Sequence, residues 1–199
     1  MRRRTKAYSL ETLAEIVAAY EADYRDRCNG ELGFYRSQPT FAEAVRVAAM
    51  AEGPGGKRMA HQRRIPHAVL QRSASGLRAQ ISLLKEARHF DDVHNVVGEA
   101  IGGIEGIGAL TIYDTALRIA AYRRLSPARV YLHAGTREGA RALGISKERP
   151  WVSPKDLPAP LRRLRAGEIE DCLCIYKADL QRLNGGPASK RRRAGRNIC

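Results

Sequence analysis

Residues 102–116 read GGIEGIGALTIYDTA. Apolar residues recur at helical spacing on both sides of this stretch. Val93, Val96, Val97 and Ile101 precede it, and Ile112, Ala116, Ile119 and Ala120 follow. That period predicts two helices with a tight connection between them. Gly106 and Gly108 bracket Ile107. Glycine tolerates positive φ and lets another backbone come close, and the apolar residue between the two plugs the angle between the helices. The second helix begins just after Gly108, so its unpaired N–H groups and positive dipole end face outward. Such an end is an anion site.

The same pattern extends outward in both directions. Leu10, Leu13, Ile16, Val17, Tyr20 and Tyr24 predict a helix capped by Ser9, running to about Arg27 and stopped by Asn29-Gly30. Thr40 and Glu43 form a capping box for the next helix, which ends before the glycine-rich turn at Gly53–Gly56. Pro66 suits the first turn of a helix carrying Leu70, Ala74, Leu77, Ile81 and Leu84, weakened by Gly76. Thr136 caps a short helix ending at Gly144, and Glu168 to Leu183 reads as the last one. Val130–Leu132 is β-prone but too short to require a sheet. The expected fold class is all-α, with seven or eight helices in a single domain over residues 9–184 and the hairpin at about 91–122. Basic arms flank it at 1–8 and 185–199.

The net charge is +14, and nine of the 35 basic residues lie in the two arms. Within the body, Gly53 to Lys85 contains no acid but holds Lys57, Arg58, Arg63, Arg64, Arg72, Arg78 and Lys85. A one-sign run of this length favours polyanionic partners. The four cysteines show no metal-site spacing, so no metal or other cofactor is expected. No apolar run is long enough to span a membrane and no secretory signal opens the chain, which points to the cytoplasm and, in a bacterium, the nucleoid.

Ile104 to Thr111 matches h-x-G-h-G-x-x-[TA], and so resembles the helix-hairpin-helix DNA-binding superfamily. The likeness extends to the DNA glycosylases of that class, because Val130, His133, Arg141, Leu143 and Gly144 echo their V-D-x-H stretch and R-L-G helix. The chain departs from that pattern at both catalytic positions. Tyr131 stands where the aspartate would be and Leu110 where the lysine nucleophile would be. Glycosyl-bond cleavage needs an anion near the sugar, and neutral Tyr131 supplies none. Leu110 forms no Schiff base.

The favoured reading is therefore a protein that binds the DNA backbone, as duplex, without reading sequence. Gly106, Ile107, Gly108 and Thr111 form the grip, followed by Arg118, Arg123 and Arg124. Lys57, Arg58, Arg63, Arg64, Arg137 and Arg141 widen the footprint. Two alternatives stay open. One is a divergent DNA repair enzyme, with His133 and Asp114 foremost among candidate groups that include Asp91, Asp92, His94 and Glu99. The other is a helical module for RNA or an acidic protein. Oligomeric state is not legible.

Overall fold

The computed structural model describes residues 10–146 and 148–185. The basic arms fall almost wholly outside that range. Ten α-helices make up most of the described chain: α1 (Leu13–Asp23), α2 (Arg25–Arg36), α3 (Phe41–Ala49), α4 (His67–Ala79), α5 (Ile81–Glu86), α6 (Phe90–Ile101), α7 (Ala109–Tyr122), α8 (Ala134–Ala142), α9 (Ala166–Ile175) and α10 (Lys177–Leu183). The only sheet among the described residues pairs β1 (Val130–Tyr131) antiparallel with β2 (Trp151–Val152). The all-α expectation holds, with more and shorter helices than the sequence suggests.

The differences have local causes. Thr12 caps α1, through a capping box with Glu15, while Ser9 lies outside the described residues. Asn29-Gly30 does not stop a helix but lies inside α2, which begins after a kink at Tyr24. Burial of Cys28 and Tyr35 on that helix outweighs the poor intrinsic propensity of Asn-Gly. The stripe from Leu70 to Leu84 is divided between α4 and α5 at Gln80, and the final helix breaks at Tyr176 into α9 and α10. Gly76 is a contact point rather than a flaw. A Cβ there would sit 3.0 Å from the Ala100 carbonyl oxygen, so it is where α4 presses on α6.

Three apolar clusters organise the described residues, two of them large and a third, smaller one at Met50, Ala51, Met59 and Leu70. The first gathers Tyr35, Phe41, Leu77, Phe90, Val97 and Ile119 from α2 to α7. The second gathers Ile16 and Tyr20 of α1 with Val130, Leu161, Ile169 and Leu173 from the C-terminal third. The chain thus starts in the second cluster, builds the first, and returns. Each fully buried Leu or Ile in these clusters is worth roughly 1.5–3 kcal/mol. Helix α7 lines the seam between the two large clusters, and polar side chains fill that seam.

Candidate nucleic-acid interface

The hairpin between α6 and α7 is closed by a turn in which the Ile107 N–H donates to the Ile104 carbonyl at 3.0 Å. Gly106, third in that turn, has φ +91°. A type II turn requires positive φ at this place, which explains the glycine. Ile104 and Ile107 tuck against the first cluster, while Gly106 and Gly108 stay exposed. Gly108 is the N-cap of α7 and no side chain caps it. The first intrahelical bond runs from Ile112 N–H to the Gly108 carbonyl. The amides of Ala109, Leu110 and Thr111 therefore have no helical acceptor. Thr111 itself departs from expectation. Its side chain turns inward and is buried, so it contributes its amide rather than a free hydroxyl.

Two contacts join this end of α7 to the acid-free stretch. Val69, in the first turn of α4, stands beside Gly106, 3.8 Å from where a Cβ would be. On the other side, the turn Ala60–Gln62 is tied to α7 through Asp114. Gln62 Nε2 donates to Asp114 Oδ2 at 2.6 Å, and His61 Nδ1 lies 3.4 Å from the same oxygen. The segment between these ties carries Arg63 and Arg64, both exposed, with exposed Lys57 preceding it. Arg58 is partly turned inward. Its guanidinium donates to the Ile65 carbonyl at 2.9 Å and braces the loop.

Arg118 is buried, and Arg123 is half-buried with its guanidinium engaged. Arg118 is 4% exposed. Its Nη2 donates to Gln62 Oε1 at 3.0 Å and lies 3.5 Å from Asp114 Oδ2, and its guanidinium lies over the Tyr35 ring. Arg123 turns back to donate to the carbonyls of Leu84, Lys85 and Ala87, satisfying the C-terminal end of α5. Arg124 is exposed but follows the C-terminal end of α7, opposite the hairpin. Arg137 and Arg141 are exposed on α8, which packs on α9 and α10. Arg137 also donates to the Leu132 carbonyl at 2.8 Å.

Most of the candidate catalytic groups are held in structural contacts or buried. Asp114 is the centre of the network just described. Burial raises its pKa, yet the His61 hydrogen bond, the Arg118 charge and Gln62 outweigh that and hold it below the usual aspartate value. The same bond holds His61 above the usual histidine value. His133 is the buried N-cap residue of α8, 3.5 Å from Glu170, and burial drives its pKa down to about 4. It is therefore neutral near pH 7. Asp92 caps α6 by accepting from the amides of Arg88 and His89. Asp91 pairs with Arg129 and accepts from the Tyr131 hydroxyl at 2.6 Å. Tyr131, on β1, is thus bonded to an acid of α6, and its ring lies tilted against that of His94 with centroids 4.5 Å apart. Glu99 is exposed.

Among the described residues, no group of three or more His, Cys, Asp or Glu is placed to hold a metal ion. No helix among them is long and apolar enough to cross a membrane. Comparison with protein-family models, curated proteins and solved structures finds no match to the chain.

Proposed function

We propose that the chain binds the DNA phosphate backbone without sequence preference, through the 102–111 hairpin. One observation carries this reading. The uncapped N-terminal amides of α7, opened by a positive-φ turn at Gly106, lie next to a loop that exposes Lys57, Arg63 and Arg64. A phosphate at those amides gains fixed N–H donors and the helix dipole. The neighbouring side chains meet the phosphates on either side. None of these groups reads a base edge, so the contact positions the protein on the duplex without selecting sequence. The reassignment of Arg118 and Arg123 narrows the footprint to the hairpin and this loop.

Fluorescence anisotropy with labelled duplexes of two unrelated sequences tests the proposal. The two affinities should agree. Each neutralised phosphate contributes a slope of about −0.9 to log K against log salt, so the three loop cations alone set a slope of about −3. An affinity that hardly changes between about 50 and 200 mM salt contradicts the proposal.

A further inference from the structure

A second site lies at the other end of α7, about 21 Å from the hairpin at 1.5 Å of rise per residue. There a groove of about 260 Å³ opens between α2, the segment 124–127 after α7, and the start of α9. That is just below the roughly 300 Å³ at which small-molecule sites usually begin. Leu32, Leu117, Leu125 and Pro127 supply apolar walls. Tyr20 and Asp171 line it as well, with the Tyr20 hydroxyl donating to Asp171 Oδ2 at 3.1 Å. Burial lifts the Asp171 carboxyl to about 7. Its carboxyl is a polar group beside the apolar walls, and it accepts hydrogen bonds and, when protonated, donates one.

Three arginines line the same groove: Arg36, Arg124 and Arg165. Arg165 bridges the helices at the rim, donating to Asn29 Oδ1 at 3.1 Å and to Glu168 Oε1 at 2.9 Å. The side chains of Arg36 and Arg124 are exposed and have no ion pair or hydrogen bond among the described residues.

Arg124 also occupies a backbone position that favours another residue. Its N–H donates to the Ala121 carbonyl and that of Leu125 to the Ala120 carbonyl, a Schellman motif with Arg124 at φ +57°. Glycine takes this conformation without penalty.

We infer that this groove binds a nucleoside phosphate. Arg36 and Arg124 hold the phosphate, the ring system lies between Leu32, Leu117 and Leu125, and Asp171 meets the polar edge of the base. Guanidinium groups suit this role because they bond phosphate oxygens in a fixed fork. The site is separate from the hairpin, and neither depends on the other.

Calorimetric titration of the full chain with the 5′-monophosphates of the four common nucleosides tests the inference. Adenosine and inorganic phosphate serve as the half-ligands. At least one monophosphate should bind, and more tightly than either half. Arg36→Ala and Arg124→Gly should each weaken it about tenfold, the worth of one charge-assisted hydrogen bond. Arg124→Gly should at the same time raise the melting temperature, because glycine relieves the positive φ. That separates lost binding from lost folding. The inference is overturned if no monophosphate binds at millimolar concentration, if inorganic phosphate binds as tightly as the monophosphate, or if binding survives both substitutions unchanged.

Discussion

Replacing Arg118 with methionine is expected to cost about 3–5 kcal/mol of stability, the loss typical of breaking a buried ion pair from one side. Methionine keeps most of the apolar stem, so the change isolates the charge. Arg118 is 4% exposed and sits beside Asp114 in the seam between the two large clusters. Without it, Asp114 keeps His61 and Gln62 but loses the strongest nearby positive charge. Urea unfolding followed by circular dichroism measures the loss. A loss under about 1 kcal/mol, the range of exposed pairs, contradicts the account.

The pH dependence has a definite sign. In the wild type the Asp114 pKa is depressed on folding, so its contribution is present above the unfolded value and lost as pH falls through the folded one. The His61 pKa is raised, so its contribution is present below the unfolded value and lost as pH rises through the folded one. The pair therefore stabilises most in mildly acidic solution, between the two transitions. In Arg118→Met burial gains weight against the remaining partners, and the acid side of this window should narrow first.

Gly139→Ala is expected to cost about 3 kcal/mol, at the upper end of overpacking penalties. A Cβ at Gly139 would lie 2.2 Å from the Leu173 carbonyl oxygen and 2.9 Å from its carbon. Both are α9 backbone, which has no rotamer to change. Gly135, one turn earlier, faces Cys174 Sγ at 2.8 Å from its own Cβ position. The two glycines let α8 lie directly on α9. The sign makes the test sharp, since Gly→Ala inside an ordinary helix stabilises by about 1 kcal/mol. Gly30 supplies that comparison. It lies in α2 with nothing within 4 Å of its Cβ position, so Gly30→Ala should stabilise. Equal melting temperatures for the wild type and Gly139→Ala would show that α8 and α9 are not held this closely.

The hairpin was legible because its turn chemistry is local. Gly106 at positive φ and the helix starting after Gly108 both follow from a pattern eight residues long. The seam was not legible, because it joins residues far apart in sequence. Only one part of it left a trace, the i, i+4 spacing of Asp114 and Arg118. That spacing fits a surface pair equally well, and burial is what distinguishes the two. Gln62 sits among basic residues with no periodic pattern to mark it as interior. Arg123 reads as a cation at a helix end, yet its acceptors come from the end of α5 and its C-cap residue Ala87, 36 to 39 residues earlier. Gly135 and Gly139 also carried a signal, two glycines four apart on one helix, which marks a close crossing once the partner helix is known.

Gly108→Asp is the sharpest test of a phosphate held at the α7 amides. Gly108 has φ −109° and ψ 174°, open to any residue, and nothing lies within 4 Å of its Cβ position. An aspartate N-cap accepts from the free amides and complements the dipole, so the fold should gain a few tenths of a kcal/mol. The same carboxylate occupies the phosphate position and repels it. Ala18→Asp, on the exposed face of α1, adds the same charge away from the hairpin. Duplex affinity measured by anisotropy at low salt should fall at least about tenfold for Gly108→Asp, more than 1.4 kcal/mol, and much less for Ala18→Asp. Equal affinities for the two variants would contradict the claim.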